Sequence, residues 1–210
     1  MNIAIIGSGN VGSVLGRRWS ANGHAVVFGS RRPDHPDVQA LAEDAGARTA
    51  LPTEAVATAE VVVLATPWEV SEDVVRGLGD LGGRIVVDCT NPLAEGLSGL
   101  TLGTDTSGGE RIQAAAAGGR VVKAFNTTGT GNMDDPVYES GALTMFLCGD
   151  DAEARQVVSG LAWELGFEPV DCGPITSARY LEPMAMAWIT LAHVMGHGPD
   201  FGFALLRRNA

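Results

Sequence analysis

The chain has 210 residues, enough for one substantial α/β core with a small appendage and too few for two full domains. Its 25 acidic and 14 basic side chains leave a net charge of -11. That charge excludes nucleic acid and anionic membrane surfaces as partners, because either would be repelled at long range.

The first thirty-two residues carry the densest signal. An apolar run over 3–6 meets Gly7, Ser8, Gly9, Asn10, Val11 and Gly12; a helical segment follows over 11–21, and a second apolar run spans 25–28. In such a turn Gly7 lets the chain leave the strand tightly, and Gly9 lets the backbone approach a pyrophosphate. Gly12 permits close packing of the following helix, whose first amides face the phosphates. Three glycines alone are weak evidence, but the flanking strand, helix and second strand make a β-α-β unit of the required spacing. A site specific for NAD places an acid just after the second strand to bind the ribose 2′-hydroxyl. This chain has Gly29, Ser30, Arg31 and Arg32 there instead. Gly29 leaves room, Ser30 offers a hydroxyl, and the two guanidinium groups are always charged and suit a phosphate. The turn is therefore expected to bind NADP(H) through its 2′-phosphate. Reading Arg31 and Arg32 as a solvated pair that merely opens a loop leaves the missing acid unexplained.

Further along, residues 37–45 are expected to be helical, 48–51 to form a short connection, and 61–65 to form an unbroken apolar strand of the kind buried on both faces of a parallel sheet. A helix over 70–78 and a strand over 84–88 continue the alternation of a doubly wound sheet. After a Gly- and Thr-rich loop over 93–106, Ser107 and Glu110 have capping-box spacing and open a helix through 117, which Gly118 and Gly119 stop. Strands are expected over 121–125, 143–148 and 169–172, with a helix over 152–165 behind the N-cap candidates Asp150 and Asp151. From 177 to 194 the chain is apolar nearly all round, which implies a helix buried on most sides, at a dimer interface or as a wall of a substrate pocket. The expected architecture is a Rossmann-type doubly wound parallel sheet over 1–140. A small C-terminal α/β extension over 141–210 would supply substrate-pocket and dimer contacts.

Ligands of open α/β sheets bind outside the carboxyl ends of the strands. Three strand ends carry candidate groups: Thr66, Pro67 and Trp68 after the strand over 61–65; Asn91 after the strand over 84–88; and Asn126 and Thr127 after the strand over 121–125. Pro67 would hold a rigid turn. Trp68 would pack on the cofactor or a planar substrate, or anchor the next helix. Asn91 and Asn126 can donate and accept toward a carboxamide or ribose, and Asn at a strand end is also ordinary turn chemistry. His193 and His197 are four apart, but Val194 stands where the Glu of a zinc-binding H-E-x-x-H is required, so no metal site is assigned. No catalytic side chain is assigned either. Hydride transfer depends on holding donor and acceptor carbons together and keeping water out.

Cys89, Cys148 and Cys172 are widely spaced beside apolar runs, as buried thiols of a reducing compartment are. No signal pattern precedes the first strand, and no apolar run approaches the roughly 20 residues that span a bilayer, so a cytoplasmic location is expected.

Six ordered segments resemble the NADPH-dependent coenzyme F420 reductases, or F420H2:NADP oxidoreductases. They are the run over 5–12, the turn over 29–32, residues 65–69, 121–127 and 148–151, and Gly173-Pro174 with 178–182. The resemblance runs from residue 1 to about 206. It implies a Rossmann domain with a C-terminal extension, a homodimer, and NADP(H) with its 2′-phosphate near Ser8, Ser30 and Arg31. It also implies reversible hydride transfer to C5 of a deazaflavin, coenzyme F420, as small-molecule substrate. Well-known archaeal members carry His where this chain has Asn126. The run over 123–127 is also shared with NADPH-dependent reductase domains that use flavin. The same residues are compatible with two other functions: an NADPH-dependent reductase of flavin, quinone or an imine or carbonyl compound, and an NADP(H)-binding redox sensor without turnover.

Overall fold

In the computed structural model, which describes residues 1–208, alternate residues of β1 (Asn2–Ile6) belong to two different cores. Ile3 and Ile5 pack with Leu15 and Trp19 of α1 (Asn10–Ala21) on one face, while Ala4 and Ile6 pack with Ala55 and Val56 of α3 (Pro52–Ala57) on the other. β4 (Val61–Leu64) and β5 (Ile85–Asp88) divide the same way, Val61, Val63, Ile85 and Val87 facing the first core and Val62, Leu64 and Val86 the second. Apolar runs without polar alternation are the sequence expression of this double covering.

The remaining elements in chain order are β2 (Ala25–Gly29), α2 (Pro36–Asp44), β3 (Arg48–Ala50), α4 (Trp68–Gly77), α5 (Gly108–Ala115) and β6 (Arg120–Lys123). They are followed by α6 (Thr130–Asp134), β7 (Val137–Tyr138), β8 (Gly141–Ala142), β9 (Thr144–Gly149), α7 (Ala152–Glu164), β10 (Glu168–Asp171) and α8 (Ala178–Ile189). The main sheet has the order β10-β9-β6-β5-β4-β1-β2-β3. From β3 to β6 every pairing is parallel; β9 runs antiparallel to β6, and β10 parallel to β9. The doubly wound Rossmann architecture expected from sequence is thus present. Its strand order reverses at β1 and β4, where such sheets open a crevice at their carboxyl ends.

Local differences from the sequence reading have simple causes. Residues 48–51, expected as a connection, include the three-residue edge strand β3, too short to show a period, and lead directly into α3. Pro52 opens α3 and the Glu54 carboxylate accepts from the Leu51 amide (3.2 Å). Capping at Ser107 is as expected: its hydroxyl accepts from the Glu110 amide (3.2 Å) and donates to the Glu110 carboxylate (2.8 Å). Of the two candidates before α7, Asp151 is the cap, accepting from the Ala154 amide (2.7 Å).

The helix expected to be buried on most sides buries one. Leu181, Glu182, Ala185 and Trp188 of α8 face inward, whereas Tyr180, Pro183 and Ala187 are exposed. Trp188 stacks on Phe201 (centroids 5.4 Å apart) and donates from its indole to the Phe201 carbonyl (2.9 Å), so the chain folds back after α8. The three cysteines are free, with Cys89 and Cys148 buried. No helix among the described residues is long and apolar enough to cross a membrane.

Candidate functional site

A cleft of about 410 Å³ opens where β1 and β4 end, lined by Gly7, Ser8 and Gly9 on one side, Ser30 and Arg31 at its far end, and Thr66 and Pro67 opposite. Gly7 has a φ of +116°, and a side chain there would strike the Ala65 carbonyl, so the turn out of β1 admits only glycine. Gly9 is the opposite case: it lines the cleft, and a Cβ there would meet nothing within 4 Å. Gly12 sits against the Gly7 carbonyl and lets α1 start close to the strand. α1 has neither a side-chain cap nor an acidic residue in its first turn. Its first amides, at Asn10, Val11 and Gly12, therefore keep the positive pole of the helix free for an anion. These features fit a dinucleotide pyrophosphate.

At the far end, Arg31 is exposed on the rim. Arg17 and Arg18 pair with Asp44 and Asp134, but neither Arg31 nor Arg32 has a carboxylate partner among the described residues. Ser30 is pinned by its amide to the Ala50 carbonyl (2.9 Å), and its hydroxyl accepts from the Arg32 amide (3.2 Å). Arg32 thus shapes the turn without lining the cleft. Gly29 gives no spare room, since Ile6 and the Pro52 backbone press against the place of its missing side chain.

A second cleft, of about 210 Å³, shares Ala65, Thr66 and Pro67 with the first and continues past Val11 to Trp68, Cys89, Thr90 and Asn91. The Ser71 hydroxyl, 2.8 Å from both the Thr66 hydroxyl and the Pro67 carbonyl, fixes the turn between them. Trp68, the first residue of α4, lines this cleft and also packs on the second core, so it is both wall and anchor. Burial, with the Asp88 charge beside it, pushes the Cys89 thiol far up, and it stays protonated at neutral pH.

Asn126 and Thr127 lie behind this cleft, both buried and neither in its wall. Asn126 acts on it through Asn91: the Asn91 amide donates to the Asn126 carbonyl (2.9 Å), and the Asn126 amide donates to Asn91 Oδ1 (3.0 Å). Phe125, just before, has a φ of +59°, a left-handed conformation costly for an aromatic residue. Its fully buried ring, edge-on to Trp19 and Phe167, holds that turn in place.

Sequence reasoning missed the charged groups beneath this cleft. Lys123 at the end of β6 is fully buried, with Nζ 2.8 Å from Asp88 Oδ2, 2.9 Å from Glu182 Oε1 and 2.7 Å from the Thr90 carbonyl. Burial works against its charge, but Asp88 and Glu182 outweigh it and hold the ammonium above its ordinary range. The available signal was a lysine closing an apolar strand and a lone acid in an apolar helix, since such residues are rarely buried unless paired.

The NADP oxidoreductase, coenzyme F420-dependent, family model matches residues 2–92. A candidate F420-dependent NADP-reductase from Arthrobacter sp. FB24 superposes with a TM-score of 0.90 at 34% identity, over 99% of this chain and 100% of that one. The hypothetical protein SMa0349 of Sinorhizobium meliloti superposes with a TM-score of 0.79 at 28% identity, over 99% of this chain and 96% of that one. The rat metalloreductase STEAP3 is 30% identical over 184 residues, 88% of this chain. The chain spans 36% of that protein's length. Matched end to end by the Arthrobacter structure at 34% identity, the chain belongs to the coenzyme F420-dependent NADP oxidoreductase family and is an NADP-dependent oxidoreductase.

Proposed function

We propose that this protein transfers a hydride between NADP(H) and the deazaflavin ring of coenzyme F420. The observation that carries the reading is the continuity of the two clefts through Thr66 and Pro67, with Arg31, which has no carboxylate partner among the described residues, at one end and a chamber without charged side chains among the described residues at the other. In this reading the α1 amides and Gly9 receive the pyrophosphate, and Ser30 and Arg31 receive the 2′-phosphate. Trp68 and Asn91 bound the place where nicotinamide and acceptor stack. The bound nucleotide supplies the hydride, and C5 of the deazaflavin receives it.

The walls of the smaller cleft contain no carboxylate, histidine or lysine among the described residues, and Cys89 is held protonated. Such walls suit a conjugated ring that takes hydride at carbon. They do not supply the acid that an imine or carbonyl acceptor calls for. Free flavin is the second reading; the run over 123–127, shared with flavin-using reductase domains, favours it. The exposed stripe of Tyr180, Pro183, Ala187 and Leu191 supports pairing with a second copy through α8.

The test is isotopic. NADPH deuterated at nicotinamide C4 should deliver its label to C5 of the deazaflavin, read by mass spectrometry of the product. Deazaflavin left unlabelled, with flavin reduced at the expense of NADPH, would move the assignment to the second reading; a hydride received at flavin N5 exchanges with water and leaves no label there.

A further inference from the structure

The cluster of Asp88, Lys123 and Glu182 lies at the carboxyl ends of β5 and β6, the end of the sheet at which the clefts open. The three ammonium protons of Lys123 have three acceptors: Asp88, Glu182 and the Thr90 carbonyl. The two Glu182 oxygens accept from the Gly108 and Gly109 amides, each at 2.9 Å, at the start of α5. Asp88 Oδ1 accepts from the Thr90 amide (2.9 Å) and the Thr90 hydroxyl (2.7 Å). Buried ions gain little over a well-packed apolar filling of equal volume, because desolvation offsets their attraction. A cluster with every donor and acceptor committed does fix geometry.

Thr90 is what it fixes. Its amide, hydroxyl and carbonyl are all held by Asp88 and Lys123, and the next residue is Asn91, in the wall of the smaller cleft. Asn91 is thus set from one side by the ion cluster and from the other by Asn126. Lys123 and Glu182 themselves line neither cleft.

We infer that Asp88 and Lys123, with Glu182 behind Lys123, are positioning residues for the nicotinamide half of the site, acting through Thr90 and Asn91 and leaving the adenosine half untouched. This rests on the reading that nicotinamide occupies the smaller cleft. The adenosine half is built from the glycine turn and Ser30-Arg31, and none of the cluster's hydrogen bonds reaches it.

The experiment compares two ligands by titration calorimetry: NADPH, and adenosine 2′,5′-bisphosphate, which lacks the nicotinamide half. The variant Lys123→Met/Asp88→Asn/Glu182→Gln removes all three charges at nearly constant volume. It should lose about tenfold in NADPH affinity, the equivalent of about one lost hydrogen bond, with bisphosphate affinity unchanged. Glu182→Gln, isosteric, outside the walls of both clefts and leaving the Asp88–Lys123 pair in place, should show the same selective loss in smaller measure, and decides the matter should the triple variant not fold. Equal losses for both ligands, or no loss for either, would overturn the inference and leave the cluster a structural one. Wild-type protein that bound neither ligand would overturn the nucleotide reading itself, and this inference with it.

Discussion

Asp88 and Lys123 are direct partners in the parallel pairing of β5 and β6, and their side chains meet at 2.8 Å with no surface exposed to solvent. Removing one charge from such a cluster is far costlier than removing all, because the remaining ions stay buried without compensation. Lys123→Met alone should destabilise the fold by about 3 to 5 kcal/mol. The triple neutral variant should recover part of that loss, because no ion stays buried without compensation, although Glu182→Gln keeps one acceptor for the two amides of Gly108 and Gly109. Urea unfolding of the two variants beside wild type is the check.

In the proposed reading Arg31 supplies the preference for NADP(H) over NAD(H). Arg31→Ala should weaken NADPH binding by about 1.5 to 3 kcal/mol, the range for hydrogen bonds to charged groups, and leave NADH nearly unchanged. Calorimetric affinities for the two nucleotides decide it, and equal losses would show that Arg31 reads something common to both.

Glu110 links α5 to α8. Arg179 donates to both of its oxygens (2.6 and 2.8 Å), which, with Ser107, holds the carboxyl below its ordinary value against the opposing effect of burial. A carboxyl depressed in the folded state stabilises the protein at pH values above its unfolded value, and that contribution is lost as pH falls through the folded value. Glu110→Gln should therefore melt below wild type at neutral pH. The gap should close in acid below the ordinary carboxylate range. A gap independent of pH would assign Glu110 to packing and capping alone.

Tyr180 is 76% exposed and Val194 67%, at the two ends of an apolar stripe along α8 and the π-helical segment Thr190–Val194 that continues it. With pairing of two copies through this stripe, wild type should sediment as a dimer and Ala187→Glu as a monomer. Equal sedimentation of the two would place any dimer contact elsewhere.

The legible parts of this protein are those written locally. The glycine turn, the apolar parallel strands and the absent acid after β2 each follow from a few adjacent residues, and the structure builds the large cleft around them. The short elements were not legible: β3 has three residues, α6 has five, and the hairpin of β7 and β8 contributes two from each strand. None is long enough for a repeating apolar pattern to be read. The ion cluster failed for another reason. Glu182 is 59 positions from Lys123, and only the fold brings it to the end of β6. Asn126 is intermediate, being visible as a strand-end residue, whereas its retreat behind Asn91 depends on the left-handed turn at Phe125.

The most direct measurement follows the deazaflavin absorbance after purified protein is mixed with coenzyme F420 and NADPH, with NADH and free flavin as parallel reactions. Rapid bleaching of the deazaflavin with NADPH, and little with NADH, is the expected result. An unchanged deazaflavin spectrum in the presence of protein that demonstrably binds NADPH would contradict the assignment of coenzyme F420 as its partner in hydride transfer.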